Sequence, residues 1–242
     1  MVDLAVRTYG DDGRKLLLLH GLGSNAEGWW RVGPALAEAG FYVVAPDLRG
    51  HGDSEHPEDF SLAAYADDVK DLNDDWEAVV GHSIGGSIAL TLFEREPHFA
   101  SRLVLLDPAL MLPSAEVAID AMMAPYDAPL TPGRVSADNP TWHPEDARIK
   151  AEALKQSSAS VTSLTIRHNP NWNLVGEASR LAVPTLLVGA DPALVALVPP
   201  ELGSGLAELN PLIQFVSIPG SSHSIHRDEF APLMATLLEF LA

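Results

Sequence analysis

Residues Gly81-His82-Ser83-Ile84-Gly85 spell G-x-S-x-G, a spacing that chance produces in roughly one chain in ten of this size when Gly and Ser each make up about 7%. The context carries more weight than the spacing. An apolar run at 78–80 precedes the motif and a helical pattern at 85–94 follows it. This strand, turn and helix setting is what a nucleophile elbow requires, with glycines where the turn is strained and neighbouring backbone comes close. A serine hydroxyl is a weak nucleophile at neutral pH, so it needs a base within reach and a carboxylate to orient that base. His223 is the candidate base, in Pro219-Gly-Ser-Ser-His223 beyond the apolar run 212–218. Asp191 is the expected acid, in Gly189-Ala190-Asp191-Pro192 beyond the run 185–188. Asp107, after the run 103–106, is the alternative acid, and its other reading is a residue that starts a turn ahead of Pro108.

The remaining histidines read differently. His226 precedes the closing helix and fits a helix start or a pocket rim, while His20 and His51 lie in turn-rich loops and fit buried hydrogen-bonding roles. None of the nine histidines falls in an H-x-H or H-E-x-x-H spacing and the chain has no cysteine, so neither a metal site nor thiolate chemistry is expected. The adjacent Asp67 and Asp68 read as a solvated helix face.

The elements that must position these groups follow from hydrophobic spacing. Short apolar runs at 15–19, 41–45, 78–80 and 103–106 alternate with helical patterns at 26–39, 63–72 and 85–94, which predicts a mostly parallel sheet covered by helices on both faces. After Asp107-Pro108 the rhythm stops for a stretch rich in Pro, Ala, Met and Trp, helical around 144–156 and without a strand signal. The alternation resumes at 184–188 and 212–218 and closes with a helix at 230–241, where Pro232 is tolerable only in the first turn. The expectation is one α/β domain, core 1–107 and 183–242, carrying a mainly helical cap at 108–182.

Elbow serine, an acid beyond a later strand and a histidine near the C-terminus, in the order Ser, Asp, His, resemble the α/β-hydrolase superfamily. His20-Gly21-Leu22-Gly23, at the end of an early apolar run, is similar to the oxyanion loop of that family, and Asp47-Leu-Arg-Gly-His-Gly-Asp-Ser54 to the loop its members carry after the next strand. The resemblance implies an α/β-hydrolase fold and a triad of Ser83, Asp191 and His223. It also implies an oxyanion hole formed by the backbone N–H groups of Leu22 and Ile84. A serine rather than an aspartate at the elbow argues against the haloalkane dehalogenase and epoxide hydrolase branches, whose carboxylate forms an alkyl ester. The activity so implied is hydrolysis of a carboxylic ester, thioester or lactone, with no cofactor. The alternatives are carbon–carbon bond hydrolysis on the same triad, which would want a cationic cap residue such as Arg167, and a ligand-binding receptor on a hydrolase scaffold. Met122, Met123, Trp142 and Trp172 are the candidate pocket residues, beside Met111 and Tyr126; Arg148, Lys150 and Arg167 read as surface solvation.

The formal charge of −18, from 15 basic and 33 acidic residues, repels polyanions and makes nucleic acid a poor partner. With 242 residues and 47% hydrophobic composition the chain is long enough for a sizeable core. No apolar stretch approaches a membrane span and no leader pattern opens the sequence. A cytoplasmic enzyme acting on a small molecule, with no membrane partner, is the expectation.

Overall fold

In a computed structural model, which describes residues 2–72 and 74–242, seven strands form one sheet in the order β1-β3-β2-β4-β5-β6-β7. They are β1 (Val6–Tyr9), β2 (Arg14–Leu19), β3 (Phe41–Pro46), β4 (Trp76–His82), β5 (Ala100–Leu106), β6 (Thr185–Gly189) and β7 (Ile213–Ser217). Only the edge strand β1 runs antiparallel to its neighbour. The four leucines of β2 show why such runs become central strands: Leu17 and Leu19 pack into one core and Leu16 and Leu18 into the other, all fully buried.

Ten helices accompany the sheet among the described residues: α1 (Val32–Glu38), α2 (Leu62–Asp71), α3 (Ile84–Arg95), α4 (Ala115–Met123), α5 (Pro132–Asp138), α6 (Pro144–Arg167), α7 (Val175–Ser179), α8 (Pro200–Leu209), α9 (Ile225–Asp228) and α10 (Phe230–Leu241). α2, α3, α7 and α8 contribute to the core on one face, and α1, α9 and α10 to the core on the other. The expected alternation is present, and Pro232 sits in the first turn of α10.

The differences have local causes. The single helix expected at 26–39 is a short 3-10 turn, Ala26–Trp29, followed by α1. Asn25 caps the first through the Gly28 N–H, and Pro34, which cannot sit in a helix interior, falls in the opening turn of the second. β1 carries three exposed residues out of four and so has no apolar signature. α8 starts on Pro200, a favoured first helical position. Asp67 is exposed as expected, but Asp68 is buried, and its two oxygens accept from Arg49 Nε at 2.6 Å and Nη2 at 2.7 Å, fixing the loop after β3.

Between β5 and β6 the chain is helical, and α6 is its long axis. The helix continues past the expected end at 156 to Arg167, kinked at Ser158, where a non-glycine residue holds φ 65° and ψ 158°. One side of α6 docks on the sheet domain through Asp146, which is 2% exposed. Its carboxylate accepts from Trp30 Nε1 and Arg31 Nη2, both at 2.9 Å, with Arg227 Nε 3.9 Å away. Removing a buried carboxylate strands two guanidinium groups, a loss of about 3 kcal/mol or more. Asp146→Ala is therefore expected to lower the urea midpoint in proportion, and an unchanged midpoint would show that the contact holds nothing.

Candidate active site

Every group singled out as chemical lies at the carboxyl edge of the parallel strands, where open α/β sheets place their ligands. Ser83 follows β4 and precedes α3, with φ 55° and ψ −120°. Hydrogen bonds hold that strained conformation from both sides: Ser83 N–H donates to Leu106 O at 3.0 Å and Ala109 N–H donates to Ser83 O at 3.2 Å. The elbow glycines are sterically required. A Cβ on Gly85 would stand 2.3 Å from Leu19 O, and one on Gly81 would stand 2.5 Å from Gly85 O. That close approach lets α3 begin directly against the end of β2.

His223 meets Asp107, not Asp191. His223 Nδ1 lies 2.7 Å from Asp107 Oδ2, and Asp107 is fully buried. The same carboxylate accepts N–H bonds from Leu197 at 2.9 Å and Val198 at 3.0 Å, so its direction is fixed. Asp107 also takes a positive φ of 39°, and its N–H donates to Val188 O at 2.7 Å. The assignment of Asp191 as the acid is thereby corrected. Its oxygens accept the N–H groups of Ala193 at 2.9 Å and Gly220 at 2.8 Å, and these bonds, Gly220 first, hold its carboxyl below the usual range. Asp191 thus ties its own turn to the Pro219-Gly220 turn ahead of His223 and leaves the imidazole to the neighbouring strand.

Leu22 and Ile84, the residues expected to form an oxyanion hole, have backbone N–H groups without an acceptor among the described residues. Ile84 opens α3, so its N–H has no acceptor within the helix, and among the described residues the Leu22 N–H donates to nothing. His20 and His51 shape this loop as buried hydrogen-bonding residues. His20 Nδ1 bonds Gly21 O at 2.9 Å while Nε2 accepts from Leu48 N–H at 3.0 Å. His51 Nδ1 bonds Arg49 O at 2.9 Å while Nε2 accepts from Gly23 N–H at 3.2 Å. Each ring is therefore a neutral Nδ1–H tautomer, and burial pushes His20 down to about 4 and His51 to about 3. His82 donates Nε2–H to His223 O at 2.9 Å, positioning the loop that carries the base. His226 sits in the first turn of α9, a helix start as expected, but is no rim residue: it is buried against Trp29 and His82.

A cavity of about 180 Å³ brings together Ser83, His223, Leu22 and Gly23 with Met122, Tyr126 and Lys150 of the helical segment. A larger one of about 520 Å³ adjoins it, sharing His223, Lys150, Pro125 and Leu154 and lined further out by Trp142, Val135 and Leu130. Of the candidate pocket residues, Met122 lines the smaller cavity and Trp142 the larger. Met123 lines neither cavity. Trp172 is buried in the sheet core, its Nε1–H donating to Ala109 O at 2.7 Å, and Met111 is exposed. Of the three basic residues read as surface, Arg148 pairs with Glu145 and Glu27, and exposed Arg167 donates to Ser163 Oγ. Lys150 instead turns inward, its Nζ donating to Gly23 O at 2.8 Å, and burial, then the Arg227 charge, pushes its pKa down to about 7. The signal lay in the helical wheel: Lys150 shares a stripe with buried Asp146, Ala147, Leu154 and Ser157.

Comparison with known proteins shows the fold family. Residues 15–192 match the family described as alpha/beta hydrolase fold. Over 256 residues the chain is 32% identical to the magnesium-chelatase 30 kDa subunit of Rhodobacter capsulatus, covering 95% of this chain and 87% of that protein. Over 99 residues it is 41% identical to an uncharacterized protein of Mycobacterium tuberculosis, a match spanning 39% of this chain and 29% of that one. The enol-lactonase of Burkholderia xenovorans superposes with a TM-score of 0.83 at 22% identity, over 99% of this chain and 96% of that structure, a likeness of fold. No helix among the described residues is long and apolar enough to cross a membrane.

The buried histidines make stability pH-dependent. Burial lowers His20, His51, His82 and His226 in the folded protein, while in the unfolded chain each takes up a proton near pH 6.5. Below that pH the unfolded state binds more protons, so stability falls as pH falls, by on the order of 1 kcal/mol per histidine per unit. Urea midpoints measured at pH 7.5, 6.5 and 5.5 should drop steeply over the last step. A flat series would mean that the rings are charged or exposed in the fold.

Proposed function

Because the chain belongs to the α/β-hydrolase fold family, we propose that it is a serine hydrolase cleaving a carboxylic ester, thioester or lactone of a small organic substrate through an acyl-enzyme. The observation that carries this reading is the 2.7 Å bond from His223 Nδ1 to buried Asp107 beside a cavity that also exposes Ser83. Ser83 Oγ attacks the carbonyl carbon and its proton passes to His223 Nε2. Asp107 accepts the Nδ1–H, fixes the tautomer and stabilises the imidazolium. The oxygen that becomes negative is held by the Leu22 and Ile84 N–H groups, an arrangement worth a few kcal/mol in the transition state. Collapse expels the alcohol or thiol, which takes the proton back from His223, and water then repeats the sequence on the acyl-enzyme. The helices between β5 and β6 act as the cap of this reading, roofing the serine with Met122 and Tyr126 and extending the cleft through Trp142.

Assaying short and medium p-nitrophenyl esters with the parent and Ser83→Ala tests the reading. Hydrolysis is expected in the parent and a fall on the order of 10⁶ in kcat in the variant, with the melting transition retained. Activity of a folded Ser83→Ala within tenfold of the parent would contradict it.

A further inference from the structure

Lys150 stands at the active site as a cation without a counter-charge. Among the described residues it makes no ion pair, and the carboxylate one turn before it, Asp146, is committed to Arg31 and Trp30. Its ammonium has three N–H donors, and one is used, on Gly23 O. A desolvated ammonium with spare donors is costly unless an acceptor arrives. At Gly23 an added Cβ would meet Leu154 Cδ2 at 2.9 Å, Lys150 Nζ at 3.5 Å and the Tyr126 hydroxyl at 3.6 Å, so both polar groups border the cavity beside the Leu154 side chain. Tyr126 OH in turn bonds Ser157 Oγ at 3.2 Å and Thr162 Oγ1 at 3.1 Å, so the pocket offers one cation and a connected set of hydroxyls. No carboxylate lines it.

Resting on the serine hydrolase reading above, we infer that the acyl half of the substrate carries a carboxylate, held in the cavity beside Gly23 by Lys150 Nζ and the Tyr126 hydroxyl. Leu22, Ser83, Tyr126 and Lys150 line one cavity of about 180 Å³, so only a short chain separates this anion from a carbonyl polarised at the Leu22 N–H. The acyl group is that of a short dicarboxylic acid half-ester. The leaving group points to the other side, where His223 borders the larger cavity with its apolar Trp142, Val135 and Leu130. The chain's charge of −18 repels anions at long range, so the attraction has to come from a local group such as this one.

The test compares mono-p-nitrophenyl glutarate with its neutral methyl ester, in the parent and in Lys150→Met. The parent should favour the acid by about tenfold or more in kcat/KM. Lys150→Met should lose about 100-fold more on the acid than on the neutral ester. A parent without preference, or an equal loss on both substrates, would overturn the inference; equal loss would make Lys150 a support for the Gly23 carbonyl alone. Calorimetry with monomethyl glutarate, which is not chromogenic, separates the two readings in the Ser83→Ala background. Binding that Lys150→Met abolishes supports the subsite. Absent binding alongside intact ester turnover overturns the subsite and leaves the hydrolase standing. Lys150-dependent binding with no turnover of any ester overturns the hydrolase reading, and with it the acyl assignment.

Discussion

The bond between His223 and Asp107 is the interaction on which the rest of the site depends, because it joins two segments 116 residues apart in sequence at 2.7 Å. Asp107 is fixed before the histidine reaches it. Its backbone extends the β5 ladder to Val188, and the amides of Leu197 and Val198 saturate its inner edge. His223 arrives on a loop held by Asp191 on one side and by the ring of His82 on the other. The carboxylate is therefore oriented by the sheet, and the imidazole by the carboxylate.

Around that bond, the sheet edge and the helical segment supply different things. The sheet edge supplies strain and direction: positive φ at Ser83 and Asp107, both locked by neighbouring strand ends. The helical segment supplies walls and one charge, and α6 couples the two by seating Asp146 against Trp30 and Arg31 and Lys150 against Gly23. Successive turns of one helix thus grip the sheet domain and face the cavity. The kink at Ser158 falls between Ser157 and Thr162, the two hydroxyls that receive Tyr126.

The central strands and the elbow were legible because their signals are local. An apolar run buried on both faces, or a glycine on which a Cβ would stand 2.3 Å from backbone, leaves its mark in a few consecutive residues. The acid was not legible in the same way. Asp107 and Asp191 both follow a parallel strand, and which one meets His223 depends on whether the side chain is consumed by its own turn, as Asp191 is by Ala193 and Gly220. That is a tertiary fact. Lys150 was misread for a related reason: basic residues on an exposed helix are common, and only its place on the Asp146 to Ser157 stripe separates it from Arg148, which is exposed as expected. Trp172 was misread as pocket because a large aromatic in an irregular segment fits a roof as well as a floor, and here it is floor.

The most direct measurement is the rate at which a fluorophosphonate labels Ser83 in Asp107→Asn and in Asp191→Asn, each shown to melt cooperatively. The reagent reports activation of the hydroxyl without reference to any substrate. The comparable change in a serine protease lowers kcat about 10⁴-fold, so Asp107→Asn should label slower than the parent by several orders of magnitude. Asp191→Asn, which loses only loop contacts, should stay within about tenfold. Rapid labelling of Asp107→Asn together with a severe loss in Asp191→Asn would place the acid beyond β6 and contradict the account.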